Sequence, residues 1–123
     1  LAVADVSFIS LRLVLPALRG LMSNEGPDAD HCEAIVLVKP QFEVGRQRVG
    51  KGGVVRDPAA HVDAIIAVIE AANPIGWKAR GLVASPLTGP AGNHEYLLWL
   101  TSQEDRDFNH SVINSVVSDT LST

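Results

Sequence analysis

The sequence predicts an α/β fold that corresponds to half a doubly wound sheet ending in an antiparallel strand. Residues 1–6 and 34–39 are short apolar segments rich in β-branched side chains, and a helical pattern follows each of them. Residues 78–84 and 95–100 are two further strand-like segments, joined by the turn-rich connection SPLTGPAGNH. Strands that alternate with helices favour a parallel sheet, whereas a turn-rich connection permits an antiparallel pair.

The first strand leads into a helix that is predicted to end near Met22. Ser7 or Ser10 can serve as its N-cap, because a serine side chain accepts a hydrogen bond from a free N–H group of the first turn. Pro16 lies inside this segment and removes one backbone donor. The regular part of the helix is therefore expected to begin only near Val14.

The second strand ends in a single charged residue, Lys39, at the end of the apolar run IVLVK. Apolar runs of this length are typical of buried strands, and the carboxyl edge of such strands is where α/β sheets place ligands and reactive groups. The following segment, PQFEVGRQRVGKGGVVR, contains four glycines and is expected to be a long loop. A loop of this length is usually functional or mobile.

The second helix has clear predicted boundaries. Asp57 is a good N-cap, and Pro58 fits the first helical position. The helix should end at Asn73 and Pro74. Its predicted buried face is a set of four β-branched residues at helical spacing: Val62, Ile65, Ile66 and Ile69.

Two segments are predicted along the chain. Residues 1–101 form the α/β unit, and residues 102–123 form a polar tail that is expected to be a short amphipathic helix or a frayed end. The chain begins at Leu1, inside a predicted strand, and not at a methionine. We therefore expect it to be the C-terminal part of a longer protein.

The composition favours one soluble globular domain, because 46% of the 123 residues are hydrophobic and 20% are charged. No stretch approaches the roughly 18 apolar residues that a membrane span needs, and the chain does not open on a signal peptide. A single cysteine, Cys32, cannot form an internal disulfide, which fits a reducing compartment. The expected location is the cytoplasm, with no membrane partner.

The charge is unevenly distributed. The whole chain carries −4, which argues against a general nucleic-acid binder, but the segment from Lys39 to Arg56 holds five cations and one acid. Its local charge of +4 leaves −8 for the rest of the chain. Such a loop suits a polyanion, and a solvated surface loop is the alternative.

Three polar residues are expected at one edge of the sheet. Asp5 and Lys39 come at the carboxyl ends of the first two strands, and Glu95 comes at the start of the antiparallel strand. An antiparallel strand presents its beginning at the edge where parallel strands end. Neighbouring strands lie about 4.8 Å apart, so the three side chains would be within reach of one substrate.

Four motifs carry a resemblance to a known family: ADVSFISL, VLVKPQFEVG, GKGGVVRDP and SPLTGPAGNHEYLLWL. The chain resembles the hemolysin A (TlyA) family, within the FtsJ-like class of S-adenosylmethionine-dependent RNA 2'-O-methyltransferases, over residues 1 to about 100. The resemblance implies strands 4, 5, 6 and antiparallel 7 of a Rossmann-like methyltransferase sheet ordered 3-2-1-4-5-7-6. It also implies a ribosomal RNA 2'-O-ribose methyltransferase whose partners are ribosomal RNA or ribosomal subunits.

The family has a catalytic tetrad of Lys, Asp, Lys and Glu, and three of its members have counterparts in this chain. Asp5 would match the aspartate and contact the methionine part of S-adenosylmethionine. Lys39 would match the second lysine, as a base or as a group that orients the ribose hydroxyl, and Glu95 would match the glutamate that holds the lysine. An ordinary lysine has a pKa of about 10.4. A basic role therefore requires burial or a neighbouring cation.

The resemblance leaves part of the site outside this chain. The first tetrad lysine, the glycine-rich cofactor loop and an S4-like RNA-binding domain are expected upstream of Leu1. The chain alone is therefore expected to be inactive. Arg46, Arg48 and Lys51 are predicted phosphate contacts for the RNA.

The sequence also permits other interpretations. Gly45 to Gly52 nearly matches a phosphate-binding loop, but Gly52 stands where that pattern needs Ser or Thr. A pore-forming protein, as the hemolysin name suggests, is disfavoured because no segment suits a bilayer. A catalytically silent module that binds RNA or protein stays open. No metal site is predicted, because the histidines lack partners at ligand spacing.

Overall fold

The computed structural model describes residues 2–4, 15–16, 33–102 and 108–122. The described strands are β1 (Ala2–Ala4), β2 (Glu33–Val38), β3 (Lys78–Ala84) and β4 (Tyr96–Thr101). The described helices are α1 (Pro40–Glu43), α2 (Pro58–Ala72) and α3 (His110–Leu121). Leu15 and Pro16 have helical conformation, within the predicted first helix. The rest of that helix, including its possible N-caps, lies outside the described residues.

The four described strands form one sheet in the order β1-β2-β4-β3. β1 pairs with β2 in parallel, and β4 pairs antiparallel with both of its neighbours. β1, β2 and β3 therefore run in one direction, and β4 runs in the opposite direction between β2 and β3. This arrangement confirms the predicted α/β fold and the predicted place of the antiparallel strand.

Helix α2 begins where the sequence predicts. The Asp57 side chain accepts a hydrogen bond of 3.1 Å from the backbone N–H of Ala59, and Pro58 occupies the first turn. The predicted buried face is only partly correct, since Val62 and Ile66 are half-buried while His61 is fully buried. The buried stripe follows a 3.6-residue period and includes three small alanines, which take up little space between the helix and the sheet. Its members are Ala60, His61, Ala64, Ile65, Val68, Ile69 and Ala72.

The core lies between one face of the sheet and the helices α2 and α3. Alternate residues of β2 are buried, which shows that helices cover one side of this strand more fully than the other. Trp77, directly before β3, is fully buried and belongs to the core cluster. Trp99 lies in β4 at the sheet surface, with the Arg80 guanidinium 4.4 Å from its ring.

Helix α3 forms in the segment predicted as a polar tail, for which a short amphipathic helix or a frayed end was expected. The Asn109 side chain caps the helix by accepting a hydrogen bond of 3.0 Å from the Ser111 N–H. Ile113 and Val117 are buried in the same core cluster as α2 and β3. The tail therefore contributes a helix to the core of the α/β unit.

The segment between α1 and α2 is a loop with two short 3-10 turns, Arg46–Arg48 and Lys51–Gly53. Gly52 and Gly53 have φ values of 77° and 79°, a conformation that other residues rarely adopt. No α-helix opens directly after Gly52, because residues 54–57 have no regular structure and α2 begins only at Pro58. This geometry differs from a phosphate-binding loop, which leads straight into a helix.

Candidate active site at the carboxyl edge of the sheet

Lys39 and Glu95 lie opposite each other at the carboxyl edge of the sheet. Lys39 directly follows β2, and Glu95 directly precedes β4. The last pair of the antiparallel register is Val38 with Tyr96, so the next step of the register places Lys39 opposite Glu95. Side chains at directly opposite positions have Cβ atoms about 5 Å apart. Both residues are buried, with 8% and 6% of their surface exposed.

Both side chains line a cavity of about 370 Å³ at this edge. The cavity is formed by three segments that are distant in sequence: the end of β2 with α1, the loop that follows, and the connection between β3 and β4. A few polar groups converge on a mainly apolar wall, which is the usual character of a ligand site. The lining residues are Lys39, Gln41, Phe42, Val49, Gly53, Pro90, Ala91, Asn93 and Glu95.

The Glu95 carboxylate is held in place by Gln41 and Gly89. Gln41 Nε2 donates a hydrogen bond of 2.9 Å to Glu95 Oε2. A Cβ atom at position 89 would lie 2.6 Å from that same oxygen, so only glycine fits there without displacement of the carboxylate. The Glu95 backbone is fixed as well, because its carbonyl accepts a hydrogen bond of 2.8 Å from Ser85 N–H.

Asn93 is a cavity residue within the connection SPLTGPAGNH, which was predicted only as a turn-rich segment. Its side chain is 1% exposed, and it bonds the loop before α2 through both of its polar atoms. Asn93 Oδ1 accepts a hydrogen bond of 2.8 Å from the N–H of Val55. Asn93 Nδ2 donates one of 2.8 Å to the carbonyl of Gly53. The only sequence signal for this role was its place in the motif GNHEYLLWL, two residues before Glu95.

His61 connects α2, β4 and the same loop. Its Nε2 lies 2.8 Å from the Val55 carbonyl oxygen, which can only accept, so this nitrogen carries the proton. In the neutral ring, Nδ1 then accepts a hydrogen bond of 2.9 Å from the Tyr96 hydroxyl. Burial lowers the pKa of His61 and raises the pKa of Tyr96 to about 12. Both side chains therefore favour their neutral forms at neutral pH.

The three predicted RNA contacts differ in their surroundings. Arg46 and Lys51 are exposed. Arg48 is half-buried and forms an ion pair with Asp63 at 2.7 Å and a longer one with Asp57 at 3.7 Å. The hydrogen bond to Asp63 raises the pKa of Arg48. Its charge is thus largely balanced by α2, whereas Arg46 and Lys51 present theirs to solvent.

Asp5, the third residue predicted for this edge, lies outside the described residues. Within the described ranges, no group of three or more His, Cys, Asp or Glu residues could hold a metal ion. No helix in this part of the chain is long and apolar enough to cross a membrane.

Comparison with known proteins identifies close relatives of the chain. Residues 1–102 match the FtsJ-like methyltransferase family. The chain is 49% identical to the 16S/23S rRNA (cytidine-2'-O)-methyltransferase TlyA of Mycobacterium tuberculosis over 122 residues, which cover 99% of this chain and 43% of the relative. It is 35% identical to the 23S rRNA (cytidine-2'-O)-methyltransferase TlyA of Campylobacter jejuni, over 80% of this chain and 36% of the relative.

A solved structure shares the fold. The crystal structure of a hemolysin-like protein from Lactococcus lactis superposes with a TM-score of 0.80 and 39% sequence identity, over 96% of this chain and 54% of that protein. The chain therefore spans less than half the length of the curated relatives described above and about half the length of this crystallised one.

Proposed function

The chain belongs to the FtsJ-like methyltransferase family, and we propose that the protein containing it methylates the 2'-hydroxyl of a ribose in ribosomal RNA. The observation that carries the proposal is that Lys39 and Glu95, at the ends of two neighbouring strands, line one cavity at the carboxyl edge of the sheet. The relatives from Mycobacterium tuberculosis and Campylobacter jejuni are both named as rRNA (cytidine-2'-O)-methyltransferases, which supports the same reaction class.

The proposed role of Lys39 is to bind the ribose 2'-hydroxyl, either as its base or as the group that orients it. A ribose hydroxyl is a poor nucleophile, so transfer requires a positioned partner for its proton. Glu95 is proposed to hold Lys39 through a charge-assisted hydrogen bond. Gln41 and Gly89, in turn, hold the Glu95 carboxylate in one orientation.

The family uses S-adenosylmethionine, which supplies the methyl group. The described cavity fits the acceptor side of such a reaction, because its ammonium and carboxylate groups suit a hydroxyl that must be oriented. We propose that Asp5 contacts the methionine part of the cofactor. This proposal agrees with the general rule that α/β sheets bind their ligands at the carboxyl ends of parallel strands.

Arg46 and Lys51 are proposed to contact RNA phosphates beside the cavity, because both are exposed and neither is paired with α2 as Arg48 is. Arg48 is also proposed to contact RNA phosphates, but to contribute less to binding, because its charge is paired with Asp63. The proposed partners are ribosomal RNA or a ribosomal subunit, and the proposed place of action is the cytoplasm.

The test is methyl transfer from labelled S-adenosylmethionine to ribosomal RNA by the full-length protein. Lys39→Ala should reduce the rate at least about a hundredfold, the usual size of a lost acid–base contribution. Lys78→Ala is the matched control, since Lys78 is exposed at the start of β3 and does not line the cavity. Equal activity of Lys39→Ala and wild type would remove Lys39 from the mechanism. RNA binding by wild type without any methyl transfer would favour a catalytically silent module.

A further inference from the structure

We propose that Asn93 is a positioning residue that holds the cationic loop, defined here as residues 45–56, against the segment that carries Glu95. The proposal rests on the proposed function, because it assigns Asn93 to RNA seating in the methyl-transfer reaction. Asn93 precedes Glu95 by two residues, and both line the cavity with Gly53 of the loop. One short segment thus carries a proposed catalytic carboxylate and the attachment point of the proposed RNA-binding loop.

The attachment uses both polar atoms of the Asn93 side chain. Oδ1 accepts from Val55 N–H and Nδ2 donates to the Gly53 carbonyl, each at 2.8 Å. The side chain is 1% exposed, so its removal leaves two backbone groups of the loop without their buried partner. A side-chain amide carries both an acceptor oxygen and a donor nitrogen, so it can bond one backbone N–H group and one backbone carbonyl at the same time.

The loop is held at three further points. The Val55 carbonyl accepts from His61 Nε2 at 2.8 Å, so side chains bind both backbone groups of Val55. The Gly50 N–H donates a hydrogen bond of 2.8 Å to the Val54 carbonyl, and Arg48 forms an ion pair with Asp63. These contacts tie the loop to itself and to α2. Among the side-chain hydrogen bonds of the described residues, only the two from Asn93 join the loop to the β3–β4 connection.

The position of Lys51 depends on this attachment. Lys51 is two residues from Gly53, in the same 3-10 turn, and its exposed side chain is a proposed phosphate contact. Gly53 also forms part of the cavity wall beside Lys39 and Glu95. Loss of the bond between Asn93 and Gly53 would therefore have two effects at once: it would displace Lys51, and it would open the wall of the cavity.

The first experiment measures the loop directly, by tryptic cleavage after Lys51 in the full-length protein. Asn93→Ala should accelerate this cleavage about tenfold, because two buried bonds to the loop are lost. Val117→Ala is the control, since it weakens the packing of α3 in the core but touches neither the loop nor the cavity. Cleavage of Asn93→Ala at the wild-type or Val117→Ala rate would overturn the proposal.

Asn93→Asp is the second variant, for use where the alanine variant does not fold. It has nearly the same shape and keeps an acceptor for Val55 N–H, but an ionised carboxylate cannot donate to the Gly53 carbonyl. Its cleavage rate should lie above that of wild type. A wild-type rate for Asn93→Asp would show that the Gly53 bond does not hold the loop.

The second experiment asks whether Asn93 and Lys51 act together on RNA. Lys51→Gln should weaken RNA binding and lower the salt dependence of binding by about one ion. In an Asn93→Ala background, the same Lys51→Gln change should have little further effect, since the loop has already moved. Independent, additive effects of the two changes would contradict a positioning role. The control Val117→Ala should leave the effect of Lys51→Gln unchanged.

The two experiments separate this proposal from the proposed function. If wild type transfers no methyl group to ribosomal RNA, the proposed function fails, and tryptic cleavage still decides whether Asn93 holds the loop. If wild type is active, Asn93→Ala should raise KM for RNA more than it lowers kcat. A fall in kcat at unchanged KM would overturn the role in RNA seating.

Discussion

Glu95 shows how a single side chain is oriented by residues that are remote in sequence. Gln41 donates to Oε2 across 54 residues, and Gly89 leaves just enough space for the same oxygen. The carboxylate cannot rotate freely, because one contact attracts it and the other limits its position. Glu95 thus has a defined orientation in the cavity that Lys39 also lines.

The residue-scale prediction concerns Gly89. Gly89→Ala should reduce methyl transfer by at least about tenfold, since a Cβ there would lie 2.6 Å from Glu95 Oε2 and displace it. Gly81→Ala is the control, because its Cβ would lie at an ordinary 3.6 Å from the Trp99 ring. The measurement is the rate of methyl transfer at saturating RNA, with thermal unfolding as a check on the fold. Wild-type activity of Gly89→Ala would show that the Glu95 orientation is not needed.

At the scale of elements, the cationic loop is joined to α2 on one side and to the β3–β4 connection on the other. Arg48 pairs with Asp63 and Asp57 at the start of α2, while Asn93 holds Gly53 and Val55. Along the chain, the exposed Lys51 lies between Arg48 and Gly53, and the exposed Arg46 precedes Arg48 by two residues. The loop is therefore a fixed support for exposed positive charge.

The element-scale prediction compares two arginines of this loop. Arg46→Gln should lower the salt dependence of RNA binding by about one ion, as expected for one lost phosphate contact. Arg48→Gln should change the salt dependence less, because Asp63 already pairs with its charge. Binding of full-length protein to ribosomal RNA over a series of salt concentrations measures both. A larger change for Arg48→Gln than for Arg46→Gln would contradict the proposed division of roles.

At the scale of the whole molecule, His61 joins three parts of the fold. It lies in α2 and bonds the loop at Val55 and strand β4 at Tyr96. Because the side chain is fully buried, protonation would place a charge in the core. Burial accordingly lowers the pKa of His61, and the hydrogen bond to the Val55 carbonyl opposes this shift. His94 contributes a smaller lowering of the pKa, and Asp57 a smaller rise.

The prediction for the whole molecule is a loss of stability in acid. Because the pKa of His61 is lower in the folded state than its unfolded value of about 6.5, the unfolded state binds the proton more readily. The contribution of His61 is therefore complete above about pH 6.5 and is lost as the pH falls towards the folded pKa, with a slope of at most about 1.4 kcal/mol per pH unit.

The measurement is urea unfolding of wild type and His61→Asn between about pH 8 and pH 5. The difference in stability between the two should become smaller as the pH falls, since only wild type pays the cost of protonation at this site. His94→Asn is the control and should retain the wild-type pH dependence, apart from its small electrostatic effect on His61. A constant difference between wild type and His61→Asn would disprove the prediction.

Much of the fold could be predicted from local signals. Caps and periodicity placed the start of α2 at Asp57 and Pro58, and the strand bounds agree with the structure to within one residue for β2, β3 and β4. The family resemblance supplied the order of the strands. The buried face of α2 was predicted less well, because a pattern of β-branched residues does not show that small alanines can bring His61 into the core.

The sequence by itself determined the type and order of the elements and the placement of Lys39 and Glu95 at strand ends. These properties depend on residues close together in the chain. Only the tertiary structure decided that Gln41 holds Glu95, that Asn93 holds the cationic loop and that Arg48 pairs with α2. These contacts join residues 15 to 54 positions apart. Their geometry depends on strand register and loop path, which no local pattern specifies.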